Sequence, residues 1–190
     1  MRILQVDPGS RRDVDRFVRL PFELYRGCAQ WVPPLIASEK AAFDPRRHSF
    51  YAKGNAAFFL AEERGRVAGR IALLNNRLAN ERLGTRTANF ALFDSLDRDE
   101  AGSALFEAGC SWARSNGLDA VQGPVALAAA GTSGILVEGF EHRPPLGLPY
   151  NYPYYERLVT GAGFAKDRDN LQGYISAAQQ LPRRLHDLAR

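Results

Sequence analysis

The order of apolar and polar residues along the chain predicts four helices. The first begins after the turn at Pro8–Ser10 and carries apolar residues near helical spacing. Pro21 interrupts that spacing, so the helix is expected to end or kink there. The third predicted helix is expected to stop at Asn116–Gly117, where Gly117 takes the left-handed backbone conformation. The three later helices are predicted over residues 36–43, 97–116 and 154–161.

Runs of aromatic and aliphatic residues between these helices predict strands. Glu63–Arg66 suits a tight hairpin turn with Gly65 at positive φ, so the runs on either side are expected to pair. The strand over residues 87–96 is expected to place Phe90, Leu92 and Asp94 on one face. Pro124 is expected to break the strand over residues 121–127. The predicted strands cover residues 2–6, 57–62, 67–74, 87–96, 121–127 and 169–175.

This order of elements predicts an α/β (α+β) fold with a mixed, mostly antiparallel sheet and helices on its faces. A length of 190 residues suits one domain, which we expect over residues 1–176. Residues 177–190 predict an amphipathic helical tail, which a second half could follow. Sheets of this kind bind ligands where neighbouring strands diverge, so we expect a cleft between residues 90–96 and 121–127.

The charge of the chain gives only limited information about the class of molecule that it binds. Lys and Arg total 25 and Asp and Glu total 21, for a net charge of +4. The basic residues are nearly all arginines and are spread along the chain, which favours a solvated surface over a nucleic-acid face. No apolar run approaches the roughly 18 residues that span a bilayer, so no membrane partner is expected.

The cysteines and histidines predict neither a disulfide scaffold nor a metal site. Cys28 and Cys110 alone do not make a disulfide framework, so we expect a reduced, cytoplasmic protein. His48, His142 and His186 lie far apart, with no Cys or carboxylate at the spacing of metal ligands.

Three segments carry a resemblance to a known family. Residues 65–71 (GRVAGRI) are similar to a strand motif G-x-x-V-G. Residues 102–106 together with 113–117 are similar to a helix motif G-x-x-L…A-x-x-x-G. Residues 158–164 (LVTGAGF) are similar to a closing motif L-Y-x-K-x-G-F. Together they resemble the GCN5-related N-acetyltransferase (GNAT) superfamily, over most of the chain.

Other segments resemble a bacterial branch of GNAT-like proteins that are often longer and carry a second such half. These segments are residues 31–34, 122–124, 134–140 and 150–155. The resemblance therefore implies a second GNAT-like half, or a homodimer, as a partner.

The resemblance implies transfer of an acyl group from acetyl-CoA or another acyl-CoA to an amine on a small-molecule acceptor. The thioester would lie along residues 90–96, against Leu92 and Phe93. The phosphates of the donor would lie near the start of the helix at 97–116. The residues implied there are Arg98, Gly102, Ser103 and Ala104.

The chain departs from the GNAT pattern in the acyl-CoA loop. In the family that loop reads R/Q-x-x-G-x-G/A, and its backbone N–H groups hold a pyrophosphate. Here residues 97–102 match it only at Gly102. Asp97 stands in place of Arg or Gln, and Glu100 in place of Gly. Carboxylates at a helix N-terminus favour the helix dipole and repel a diphosphate, so we interpret them as helix caps in a degenerate loop.

The second departure concerns the catalytic acid. Many GNAT enzymes use a Tyr in the closing motif to protonate the leaving thiolate, and Val159 stands at that position. Tyr154 and Tyr155 lie one helical turn earlier and could replace it. Asn151, in the stiff Pro-rich stretch before them, could hydrogen-bond a substrate.

Two functions therefore stay open from the sequence. The first is a GNAT-like acyltransferase with Asn151, Tyr154 and Tyr155 as its candidate catalytic residues. The second is a catalytically inactive GNAT-fold module that binds a small ligand or a partner domain. The degenerate loop and Val159 favour the second function, and the intact strand and helix framework favours the first.

Overall fold

A five-stranded mixed sheet lies at the centre of the structure, a computed structural model that describes residues 1–127 and 133–173. The strands lie in sequence order across the sheet. The first four are antiparallel and the fifth runs parallel to the fourth. The predicted mixed, mostly antiparallel sheet is thus confirmed. The strands are β1 (Arg2–Gln5), β2 (Gly54–Glu63), β3 (Arg66–Asn76), β4 (Thr87–Ser95) and β5 (Ala120–Gln122).

Helices cover both faces of this sheet. They are α1 (Arg11–Leu24), α2 (Ile36–Ala41), α3 (Arg77–Leu83), α4 (Asp99–Ser115) and α5 (Tyr155–Gly161), with a short 3₁₀ helix at Ser49–Ala52. The predictions of α1, α2, α4 and α5 are confirmed to within a few residues, as is the hairpin turn with Gly65 at φ 80°. Helix α3 was not predicted. None of its residues is buried, so it carries no apolar stripe.

Alternation along the strands divides the core between the two faces. On β2, Phe58 and Leu60 pack with α1, while Phe59 packs on the side of α4 and α5. The α4 side is the tighter of the two. A Cβ on Gly69 of β3 would lie 2.7 Å from Leu105, and one on Gly109 would lie 2.9 Å from Leu73. These glycines let the backbone of α4 approach the sheet closely.

Pro21 lies inside α1, which continues to Leu24 instead of ending there. Proline has no N–H to donate to the carbonyl one turn earlier, that of Phe17. Nη1 of Arg70, on β3, donates to this carbonyl at 3.0 Å. The expected break is therefore avoided because a buried side chain takes the place of the missing N–H.

Two predicted strands differ from the structure. β5 ends at Gln122 and not at residue 127, because Pro124 cannot donate to the sheet. The segment stays close, however, since Val125 N donates to Phe90 O at 2.9 Å. Residues 169–173 form no strand. The rest of that predicted strand and the predicted tail over 177–190 lie outside the described residues.

Candidate functional site

A bulge in β4 marks the middle of the sheet. Leu92 has φ 48°, a left-handed conformation that is unusual for a residue with a branched side chain. The register with β3 shifts there: Ala72 lies opposite Ala91, but Arg70 lies opposite Asp94. One extra residue on β4 therefore reverses the alternation of side chains. The prediction that Phe90, Leu92 and Asp94 share a face is wrong, because Phe90 and Phe93 pack toward α4 while Leu92 packs on the other face.

β4 also separates from β5 near this bulge. The two strands pair only from Thr87, opposite Ala120, to Asn89, opposite Gln122. From Leu92 to Ser95, β4 continues with no strand beside it on that edge among the described residues. The divergence falls within residues 90–96, and the ligand cleft expected between them and residues 121–127 stays a prediction.

Two surface grooves flank β5. One, of about 290 Å³, is lined by Asn89 and the segment Val125–Leu127 on the α1 side of the sheet. The other, of about 340 Å³, lies between the end of α4 and Phe164. Neither is lined by Asn151, Tyr154 or Tyr155.

Asp94, two residues after the bulge, is the centre of a buried hydrogen-bond network. Its Oδ2 accepts from Nε of Arg70 at 2.7 Å. Its Oδ1 lies 3.2 Å from the hydroxyl of Tyr25 and 3.1 Å from that of Tyr155, and the two hydroxyls are 2.8 Å apart. All four residues are less than a tenth exposed. We call them the Asp94 network.

The Asp94 network gathers residues from four separate elements. Tyr25 follows the last residue of α1, Arg70 lies on β3, Asp94 on β4, and Tyr155 is the first residue of α5. Arg70 is fixed by three groups, namely Asp94, the carbonyl of Phe17 and the ring of Phe17, which lies 5.0 Å from its guanidinium carbon. A buried ion pair with this many contacts is rigid, and loss of either partner is costly.

Both phenols of the network stay protonated at neutral pH. Burial raises the pKa of Tyr155 well above its usual value, and the negative charge of Asp94 raises it further. The same two causes raise the pKa of Tyr25. Burial also raises the pKa of Glu39 on α2, which lies in the field of Arg70 and Asp94. The site thus holds two neutral hydroxyl donors next to one carboxylate.

Aromatic rings cover the Asp94 network. The ring of Tyr25 stacks on Trp31 at 5.1 Å and on Tyr152 at 5.0 Å, and Tyr152 stacks on Tyr154 at 5.6 Å. The hydroxyl of Tyr154 also donates a hydrogen bond to the carbonyl oxygen of Ser95, at 2.8 Å. These four rings, which we call the aromatic stack, share Tyr25 with the Asp94 network and join it to the loop after α1 and the loop before α5.

Asn151 is buried beside the aromatic stack, but its amide bonds to the backbone. Oδ1 accepts from Leu136 N at 2.7 Å, and Nδ2 donates to Leu136 O and Tyr152 O, both at 3.0 Å. Its amide therefore joins two loops and positions Tyr152. Of the three predicted catalytic residues, the structure brings only Tyr155 into the Asp94 network, with Tyr154 next to it.

The N-terminus of α4 is surrounded by ion pairs. Arg98 is its N-cap residue, and no side chain caps the helix there, so the interpretation of the carboxylates as helix caps is wrong. Asp97 and Asp99 instead pair with Arg157 of α5, and Arg98 pairs with Glu63. The carboxylates are drawn away from the backbone N–H groups by these arginines.

The remaining residues predicted to hold a donor lie on β4 and the first turns of α4. Ser103 is exposed and Ala104 half-buried, while a Cβ on Gly102 would lie 3.4 Å from Leu158. On β4, Phe93 is buried against Phe106 and Tyr155. The structure thus places Phe93 beside Tyr155 of the Asp94 network and Leu92 on the other face of the sheet. Gly102, Ser103 and Ala104 lie in the first turns of α4.

Solved structures share this arrangement of sheet and helices. A tandem GNAT protein from the clavulanic acid biosynthesis pathway matches with a TM-score of 0.56, over 85% of this chain and 43% of its own, at 15% identity. The aminoglycoside acetyltransferase meta-AAC0020, from an uncultured soil metagenomic sample, matches with a TM-score of 0.54, over 92% and 95%, at 11% identity. The chain has the GNAT fold. No protein-family model matches it.

Two curated relatives are similar in sequence. Protein YghO of Escherichia coli (strain K12) is 30% identical over 172 residues, which cover 87% of this chain and 42% of YghO. Bacterial ceramide synthase of Caulobacter vibrioides (strain NA1000 / CB15N) is 28% identical over 158 residues, which cover 83% and 41%. The chain spans about two fifths of the length of these relatives.

Within this GNAT fold, the start of α4 does not suit a diphosphate. Asp97, Asp99 and Glu100 bring three negative charges to it. Asp97 and Asp99 share one cation, Arg157, and Arg98 is paired with Glu63. An anion entering here would meet net negative charge, which opposes the pull of the helix dipole.

Tyr25 and Arg70, two members of the Asp94 network, were not predicted as site residues from the sequence. Tyr25 was assigned to the apolar residues at helical spacing that predict the first helix. The signal for Arg70 was a charged residue inside the apolar run of residues 67–74, because a buried charge requires a partner. Asp94, a carboxylate in the apolar run of the next strand, was the natural candidate for the partner of Arg70.

The described residues offer no group of three or more His, Cys, Asp or Glu that could hold a metal ion. Cys28 and Cys110 are both free. In the described ranges, no helix is long and apolar enough to cross a bilayer.

Proposed function

We propose that this chain is an N-acyltransferase module, which moves an acyl group from a thioester donor to an amine. One observation carries the proposal: the Asp94 network lies on β4 directly after the bulge at Leu92, where β4 leaves β5. Strained backbone is concentrated at functional sites, and neutral phenols beside a carboxylate are groups that can move protons.

The chemistry needs two proton movements. The amine nitrogen attacks the thioester carbonyl carbon, the C–N bond forms and the C–S bond breaks. The leaving thiolate takes a proton, and the new ammonium group loses one. In the proposal Tyr155 gives its proton to the thiolate. The proton lost by the amine returns to Tyr155 along the hydrogen bond from Tyr25, while Asp94 holds both hydroxyls in place.

The donor is proposed to be an acyl-CoA or a related thioester, held mainly by its acyl-pantetheine end. That end would lie along the backbone of β4 at Leu92 and Phe93, as the resemblance implies. Because the start of α4 carries net negative charge, the diphosphate adds little to binding. Acetyl-CoA stays one of the donors to be tested.

The acceptor is proposed to be a long-chain amine. The support is the relative named bacterial ceramide synthase, since a ceramide is the amide of a fatty acid with a long-chain amine. The aromatic stack would present a flat apolar wall to such a chain on its way to the Asp94 network.

The test is a product assay with a panel of donors and amines. The purified chain is incubated with acetyl-CoA or palmitoyl-CoA and with sphinganine, a short alkylamine or an aminoglycoside. Release of free thiol and the mass of the amide are then measured. We expect an amide of sphinganine above the rate without protein. Thioester binding with no amide from any amine would contradict the proposal.

A second candidate function is a non-catalytic GNAT-fold module that binds a ligand or a partner domain. The negative charge at the start of α4 and the apolar side chain of Val159, which replaces the usual acid, favour it. The same assay separates the two candidates, because this module would bind a thioester or an amine without consuming either.

A further inference from the structure

Large apolar side chains are exposed on two loops that hydrogen bonds join. Leu35 is 76% exposed and Val32 is 56% exposed, both in the loop after α1. Leu146 is 96% exposed and Val137 is 46% exposed, both in the loop before α5. We call these four side chains the apolar rim. Exposed apolar side chains that cluster mark interaction sites more often than scattered ones do.

Hydrogen bonds tie the two loops together. Nη2 of Arg143 donates to Ala29 O at 2.7 Å, and Nε2 of Gln30 donates to Glu141 O at 3.4 Å. The loop that carries Leu146 is thus fastened to the loop that carries Leu35. The apolar rim is one feature built from both loops.

The apolar rim is continuous with the candidate active site. Trp31, next to Val32, stacks on Tyr25 at 5.1 Å. Tyr150, which follows Leu146 by four residues, lies 6.2 Å from the same ring. Tyr25 in turn belongs to the Asp94 network. A chain of ring contacts therefore connects the apolar rim to the Asp94 network.

We propose that the apolar rim inserts into the surface of a lipid bilayer, from which the site takes its long-chain amine. The proposal rests on the proposed function for the identity of the acceptor. The rim side chains are exposed on loops and line neither of the two grooves beside β5, so they fit a fluid surface. Partly buried Trp and Tyr rings directly behind them suit the boundary between water and acyl chains.

Surface insertion of this kind needs no spanning helix. The proposal therefore differs from the expectation, drawn from the sequence, that the chain has no membrane partner. Nor does it depend on anionic lipid. The loops carry both signs of charge, with Arg26 and Arg143 against Glu138 and Glu141. Binding should therefore occur on neutral vesicles and persist in salt, because apolar burial is not screened.

Flotation with phosphatidylcholine vesicles, without any thioester or amine, tests this surface independently of catalysis. The test variant carries Leu35→Ser and Leu146→Ser. The matched control carries Leu83→Ser and Leu171→Ser, at leucines that are 74% and 98% exposed and lie outside the two loops. All four changes are on exposed side chains, so melting temperatures should stay close to that of the unchanged chain.

We expect the unchanged chain and the control to float with the vesicles in 0.5 M salt as well as in low salt. The rim variant should lose at least about tenfold in partitioning. No flotation of the unchanged chain, or an equal loss in both variants, would overturn the proposal. So would a change of oligomeric state in the rim variant alone, which would assign the rim to contact between two copies.

Discussion

The hydroxyl of Tyr155, the first residue of α5, lies 3.1 Å from Oδ1 of Asp94 on β4. The pair joins two segments 61 residues apart in the sequence. It ties the helix to the strand just beyond the bulge. This contact gives Tyr155 two roles, one in stability and one in the proposed proton transfer.

Tyr155→Phe should lower the free energy of unfolding by about 1–3 kcal/mol. The change removes one donor from Asp94 and leaves the N–H of Ser95, which donates to Tyr155 at 3.3 Å, without that acceptor. Urea denaturation measures the effect. Tyr51→Phe is the control, because it removes a single bond to a backbone carbonyl and should cost about 0.5–1.5 kcal/mol. A smaller loss for Tyr155 than for Tyr51 would show that the network adds nothing to stability.

The raised pKa values of Tyr25 and Tyr155 predict a loss of stability in alkali. An unfolded tyrosine ionises near pH 10, while these two keep their protons in the fold. Their contribution is therefore complete below about pH 10 and falls as the pH rises above that value. Each adds up to about 1.4 kcal/mol per pH unit to the slope.

Denaturation curves between pH 8 and 11.5 check this slope. In Tyr155→Phe one such group is gone, so its free energy of unfolding should fall less steeply above pH 10 than that of the unchanged chain. Parallel curves for the two proteins would mean that Tyr155 ionises freely in the folded state.

Sequence patterns were sufficient for most of the fold because local signals agree with the packing. The alternation in β2, the turn at Arg64–Gly65 and the left-handed Gly117 were all readable from the chain. The limits appear where tertiary contacts override local preference. Pro21 stays inside α1 only because Arg70, 49 positions later in the sequence, bonds the carbonyl of Phe17.

The site was less readable than the fold. A strict two-residue alternation put Leu92 with Phe90 and Asp94, and a bulge has no sequence signal as plain as a turn. The Asp94 network draws its members from α1, β3, β4 and α5, so no motif of fixed spacing describes it. Tyr155 was found because its position was close to a family motif, and Tyr25 was missed because none covers it.

Gly109→Ala should destabilise the fold, although alanine is the better helix former. A Cβ at this position would lie 2.9 Å from Cδ2 of Leu73, so either the buried Leu73 side chain or α4 would have to shift, at a cost of about 1–3 kcal/mol. Gly161→Ala, at the end of α5, meets nothing within 4 Å and should be neutral or stabilising by up to about 1 kcal/mol. Thermal unfolding of both variants gives the comparison. Two changes of the same sign would show that α4 does not pack this closely.

Asp97→Gln together with Glu100→Gly should strengthen the binding of coenzyme A several-fold. The double change removes two negative charges beside the N-terminus of α4 and restores the residue types of a working acyl-CoA loop. Calorimetric titration at low salt measures it. Glu81→Gln with Glu107→Gln, at two exposed positions elsewhere, controls for net charge. Equal affinities in all three proteins would mean that the diphosphate lies away from α4.

The proposal that the Asp94 network carries out acyl transfer is tested most directly by the rate of amide formation in Tyr155→Phe. The rate is measured on folded protein at low temperature, with the donor and amine that give product, beside thioester affinity from calorimetry. We expect the rate to fall by about a hundredfold or more, with thioester affinity within about twofold of the unchanged chain, and Tyr51→Phe to match the unchanged chain in both. An undiminished rate in folded Tyr155→Phe would contradict the account.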